Sequence, residues 1–225
     1  MYTLKVRSYS QYCGLARGLD VIGERWVLLI VRELLGGPRR YGELLDGLPG
    51  IATNLLAERL RTMQETGLVE RHDDDRYALT ERGQGLRDVV YAIGRWASPL
   101  MGERGEDDSF RSHWIAHPIG GLFPGVDPSR PDLTIEVRSN DRPMTIRSAD
   151  GVVTVEEGPA AAPDLVLTGP PELVIGVLAR RLSPKEAEAR GLAFTGDRRL
   201  LRRLKPSTAS TTPTTGVASR SAARG

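Results

Sequence analysis

Thr53, Asn54, Ala57 and Arg61 fall on one side of residues 51–64, whereas Leu56, Leu60 and Met63, at spacings of four and three, fall on the other. An asparagine amide pairs with adenine, a guanidinium forks onto guanine, and an alanine methyl can meet the methyl of thymine. A helix face carrying these groups suits a reader of base edges in a DNA major groove; the plainer alternative is a solvated surface. Glu58 either accepts from cytosine or pairs with Arg61 at i+3. Arg59 lies nearer the apolar side and reads as a structural arginine, bonded to backbone or in an ion pair. Arg40 before this stretch is a candidate for phosphate contact, while Arg39 reads as solvated.

Other chemistry finds little support. His113 and His117 sit four apart, but no glutamate in the metalloprotease arrangement and no third ligand accompanies them, so polar or packing roles are expected and no metal. Gly196-Asp197 lacks a phosphate-loop pattern, and no nucleophile stands with a base. No enzymatic activity and no cofactor are expected.

The elements that must position the reading face follow from periodicity. Leu15, Leu19 and Ile22 predict a first helix, and Trp26, Leu29, Ile30 and Leu34 a second that Gly36-Gly37-Pro38 stops. A short helix over 42–48, a Pro49-Gly50 turn and the helix over 51–64, closed by Gly67, form a helix-turn-helix pattern. Residues 68–71 and 76–79 then predict a hairpin around His72-Asp73-Asp74-Asp75. Three carboxylates at its tip repel a phosphate backbone, which leaves the flanking Arg71 and Arg76 as its DNA contacts. Thr80 caps a helix carrying Leu86, Val90, Ile93, Ala97 and Leu100, with Trp96 beside them; this stripe packs on its own domain or on a second copy.

After Met101 the character changes. Residues 102–131 read as linker and transition. From 132 the apolar period becomes two, and successive strands separated by turns predict a mostly antiparallel sheet, with helices after Pro170 and Ser183 and over 197–204. The fold class is therefore a mainly α winged helix-turn-helix domain (13–101) followed by an α+β domain (132–204). Residues 1–12 read as a short arm or a frayed start, and 205–225, without aromatic, Leu or Ile, as a disordered tail.

Composition constrains partners weakly. Lys plus Arg number 31 against 29 Asp plus Glu, a net charge of +2, so any nucleic-acid argument rests on placement. The single cysteine, Cys13, excludes an internal disulfide framework and fits a reducing cytosol. No stretch approaches the roughly 20 apolar residues of a membrane span, so a cytoplasmic protein without a membrane partner is expected.

Several separate motifs agree in order: Cys13, Leu19-Asp20-Val21-Ile22-Gly23-Glu24-Arg25-Trp26, Arg40-Tyr41-Gly42-Glu43-Leu44, Leu48-Pro49-Gly50-Ile51, Leu56-Ala57-Glu58-Arg59-Leu60, Gly67-Leu68-Val69-Glu70-Arg71 and Tyr77-Ala78-Leu79-Thr80-Glu81-Arg82-Gly83. Over residues 13–101 the chain thereby resembles the HxlR-type winged helix-turn-helix transcription regulators of bacteria. The resemblance implies a homodimer on double-stranded operator DNA, with helix 51–64 as recognition helix. It also implies an interface of the terminal helices, through Leu15, Leu86, Val90, Ile93, Trp96, Ala97 and Leu100. Some such proteins sense oxidation through an early cysteine; Cys13, with Arg17 one turn on, is either such a redox sensor or a small interface residue. The acidic wing and the added second domain depart from the family pattern.

Residues 130–204 resemble, more loosely, a sterol-carrier-type lipid-binding domain. The residues concerned are Pro163-Asp164-Leu165-Val166-Leu167-Thr168-Gly169 and Gly191-Leu192-Ala193-Phe194-Thr195-Gly196-Asp197. That implies an apolar cleft for a hydrophobic small-molecule effector. The combined expectation is a repressor acting as a homodimer on a pseudo-palindromic operator. The alternative is a lipid or small-molecule binding protein whose N-terminal module serves mainly for dimerisation.

Overall fold

Ile30, Val31 and Leu34 line the inner face of α2 (Val27–Leu35) and meet Leu56, Leu60 and Met63 of α4 (Thr53–Glu65), so the two apolar stripes close one core. The computed structural model describes residues 8–97, 100, 101, 105, 107–117, 119, 123, 131–140 and 142–204. Residues 1–7 of the expected arm, half of the linker 102–131 and the tail 205–225 lie outside them.

Around that core run α1 (Gly14–Ile22), the two-residue β1 (Arg39–Arg40) and α3 (Tyr41–Asp46). After α4, β2 (Val69–Arg71) and β3 (Arg76–Leu79) form the predicted hairpin, and β1 adds to it in the order β1-β3-β2, all antiparallel. Gly67, at φ 69°, ends α4 in the left-handed region that glycine adopts without strain. Arg82 then donates to the Thr66 carbonyl at 2.7 Å, satisfying the helix end.

The helix expected after Thr80 is two. Thr80 does cap α5 (Glu81–Gln84), accepting from the Gly83 N–H at 3.1 Å, and its hydroxyl donates to the Gly67 carbonyl at 2.7 Å. The chain turns at Gly85 before α6 (Arg87–Ala97). Leu86 and Val90 thereby turn toward the core shared with α2, while Ile93, Trp96 and Leu100 stay exposed.

In the second domain, β4 (Leu133–Ser139), β5 (Arg142–Ala149) and β6 (Val152–Glu157) form a meander, and β7 (Leu165–Thr168) and β8 (Ala193–Gly196) complete a five-stranded sheet. Its order is β6-β5-β4-β7-β8. The sheet is mixed: three of its four pairings are antiparallel, in line with the expectation, and β4 and β7 run parallel at its centre, which the expectation did not include. Alternation along a strand reports which face is buried and says nothing of a neighbour's direction. The continuous run Leu165-Val166-Leu167, buried at every position, is the mark of a central parallel strand.

α7 (Pro171–Leu178) starts with proline in its first turn, and α8 (Pro184–Ala189) with a reciprocal Ser183–Glu186 cap. Leu173, Val174, Val177 and Leu178 of α7 pack with Leu133, Ile135, Val137, Leu165 and Leu167 of the sheet. The last expected helix is a 3-10 turn, Arg198–Arg203, capped by Asp197.

Candidate nucleic-acid interface and its junction with the second domain

Thr53, Asn54, Ala57 and Arg61 are all exposed on α4, side by side over its first three turns. Three anchors fix this helix from behind. The Tyr41 hydroxyl donates to the Thr53 carbonyl at 2.6 Å, tying α3 to the first residue of α4. Arg59 donates to the Arg25 carbonyl at 3.3 Å and pairs with Glu24 and Glu58, each at 3.1 Å, which joins α4 to the turn between α1 and α2. Arg59 therefore has the structural role read from its position. Glu58 pairs with Arg59 instead of Arg61, and Arg61 is without an ion pair or hydrogen bond among the described residues. A guanidinium held out from a fixed helix, with an amide two turns before it, can reach base edges without first breaking internal contacts.

Arg40 is exposed at the start of α3, where its backbone N–H donates to Glu43 at 2.6 Å. In the wing, Arg71 pairs with Asp75 at 2.8 Å and Arg76 with Asp74 at 2.5 Å. The hydrogen bond from Arg76 holds the Asp74 carboxyl below its usual range. The two wing arginines thus stand among the carboxylates expected to repel phosphate, and contact with DNA requires exchanging one anion for another.

Leu15 on α1 and Trp96 on α6, with Ile93 and Leu100, form exposed apolar surface; Leu15 is 72% and Trp96 76% exposed. Ala97 is half-buried, and Cys13, just before α1, is exposed.

Glu33, by contrast, is a junction position that sequence reading missed. It is a carboxylate only 2% exposed on the helix behind the reading domain. Arg32 donates to it at 2.8 Å, His113 lies at 2.6 Å, and the Trp114 indole N–H donates at 2.8 Å. His113 and Trp114 belong to the 3-10 turn Ser112–Ile115, which also packs on β5, so Glu33 ties α2 to the second domain. The Arg32 guanidinium stacks over the Trp114 ring at 4.1 Å. Burial opposes the charge on Glu33, but hydrogen bonding from His113 and the charge of Arg32 prevail and hold its carboxyl below the usual range. Nothing in the local sequence links positions 33 and 113.

Two clefts open at this junction, of about 260 and about 230 Å³, sharing Glu33, Arg39, His113 and Glu157. His117 lines the larger, while His113 makes its contact with Glu33 at the junction. Burial, helped by Arg32, lowers the His117 imidazole to about 4. Because the folded state refuses a proton that the unfolded chain accepts below its ordinary value, this group removes stability as pH falls from about 6.5 to about 4. Urea unfolding is expected to show a loss of roughly 2 kcal/mol between about pH 7 and pH 5. His117→Gln should flatten that slope; an equal slope in the variant would assign the effect elsewhere.

Among the described residues, no helix is long and apolar enough to cross a membrane, and no group of three His, Cys, Asp or Glu side chains could hold a metal ion.

Comparison with known proteins bears on the first half of the chain. A family model described as HxlR-like helix-turn-helix matches residues 21–104. The uncharacterized HTH-type transcriptional regulator sll1512 of Synechocystis is 35% identical over 95 residues, 40% of this chain and 70% of that protein. The uncharacterized HTH-type transcriptional regulator YvaP of Bacillus subtilis is 33% identical over 88 residues, 36% of this chain and 82% of its own. The crystal structure of quinone-bound YodB from B. subtilis shares 34% identity, with 38% of this chain and 96% of that one covered and a TM-score of 0.36.

Proposed function

Since this chain belongs to the HxlR-like helix-turn-helix family and is a DNA-binding transcription regulator, we propose that it represses transcription as a homodimer seated on a pseudo-palindromic operator. The observation that carries this reading is the exposed face of α4, where the side chains of Thr53, Asn54, Ala57 and Arg61 make no hydrogen bond or ion pair among the described residues while the helix itself is tied down by Tyr41 and Arg59. In this reading Arg40 and, after exchange of partners, Arg71 and Arg76 bind phosphates. Leu15, Ile93, Trp96, Ala97 and Leu100 meet their copies in the partner. Leu86 and Val90 support that interface from the core side. Two recognition helices then enter successive major grooves, and occupancy alone blocks other proteins from the same DNA.

Residues 13–101 serve as the DNA-binding and dimerisation unit and residues 132–204 as the unit that receives a small molecule, in keeping with their looser sterol-carrier-like pattern. The second sheet's inner face is filled by its own side chains, and the clefts described above lie at the junction. That favours an effector entering between the two units. Cys13, exposed at the start of α1, stands where oxidation would reach it.

Arg61→Ala is expected to weaken binding to the operator about 10- to 100-fold and to relax preference at one base pair. Fluorescence anisotropy at fixed salt, with the DNA flanking its own coding region, measures both. Unchanged affinity and preference would remove Arg61 from the interface. The lack of any specific complex with that DNA for the unaltered protein would count against autoregulation at this site.

A further inference from the structure

We propose that the larger junction cleft is a binding site for a small monocarboxylate with an apolar body, its carboxylate held by Arg39 and its body seated on Met144 and Val155. Arg39 is the first observation. Its side chain is 21% exposed, yet its nearest charged partner, Glu157, stands at 3.6 Å, beyond hydrogen-bond length, and the guanidinium makes no hydrogen bond among the described residues. A largely enclosed group with five N–H donors and no acceptor is matched by an anion presenting two oxygens in one plane.

His117 is the second. It lines the same cleft, makes no hydrogen bond among the described residues, and remains neutral near pH 7, so it offers one donor and one acceptor to whatever lies beside it. Met144 of β5 and Val155 of β6 supply the apolar floor. Glu33, Glu156 and Glu157 on the same walls select the charge: they repel a phosphate dianion more than a singly charged acid. A volume of about 260 Å³ suits a compact ligand. Because Arg39 and Glu33 come from the DNA-binding unit while the floor comes from the second sheet, such a ligand bridges the two. Its regulatory consequence rests on the reading of this chain as an effector-controlled regulator, whereas binding itself does not.

The test titrates the full chain with benzoate, benzamide and inorganic phosphate by isothermal calorimetry. Benzoate is expected to saturate one site per chain with Kd below about 1 mM, and benzamide and phosphate to bind at least about tenfold more weakly. Arg39→Gln should lose about tenfold or more for benzoate, and Arg39→Lys should recover only part of it, since charge returns without the fork. Benzoate bound no better than benzamide, or equally well by Arg39→Gln, overturns the site; should the Gln variant not fold, the benzamide comparison and the Lys variant still decide. Operator affinity, measured with and without saturating benzoate, separates the two readings. A change of about threefold or more supports coupling. Benzoate binding without such a change overturns the effector role and leaves the site, and benzoate binding by a chain that forms no specific complex with the DNA flanking its own coding region overturns autoregulation there and likewise leaves the site.

Discussion

Glu33→Ala is expected to destabilise the protein by about 3 kcal/mol, seen as a fall in the urea midpoint at unchanged slope. The carboxylate is almost wholly buried, and its removal strands three donors together: the Arg32 guanidinium, the His113 ring and the Trp114 indole N–H. Arg32 and His113 keep 18% and 19% of their side-chain surface exposed, so water recovers part of the loss, which places the figure at the low end for a broken buried pair. Glu33→Gln preserves an acceptor for Trp114 and should lose less, about 1–2 kcal/mol. If the alanine variant lost under about 1 kcal/mol, the junction would not be held by this group.

The second large effect concerns Gly83. A methyl group there would lie 2.1 Å from the Leu68 carbonyl oxygen and 3.0 Å from a Leu79 methyl. The obstacle is backbone at the base of the wing, and it cannot swing aside as a side-chain end can. Gly83→Ala should therefore lose about 2–3 kcal/mol despite the better helix propensity of alanine, and should displace the wing from α4. Gly42→Ala, where no atom lies within 4 Å of the new methyl, is the control, with a change of at most about 1 kcal/mol. Thermal unfolding of both variants checks the contrast; equal behaviour would mean the hairpin yields freely.

The winged half was legible because its determinants are local. Leu56, Leu60 and Met63 announced α4 and its buried side, and with them the exposure of Asn54 and Arg61. Thr80 announced its cap. What was hidden depended on partners distant in the chain. β8 contains one large apolar residue, Phe194, in four, too short an alternation to register, and its place is set by pairing with β7. The parallel alignment of β4 with β7 joins positions 30 apart, such as Ile135 and Leu165. Glu33 looked like one more polar residue on an amphipathic helix, since His113 and Trp114 lie 80 and 81 residues on. Arg39, taken as solvated, is enclosed by a sheet that the local sequence could not place beside it.

The junction is built from a carboxylate, a guanidinium, an imidazole and an indole N–H, not from leucines. During synthesis the last helix of the DNA-binding half, ending at Ala97, leaves the ribosome well before the second sheet can close, since that awaits β8 with residues 193–196. In that interval Glu33 and Arg32 face water, where both are well hydrated, so the surface awaiting the second domain offers little for other nascent chains to stick to.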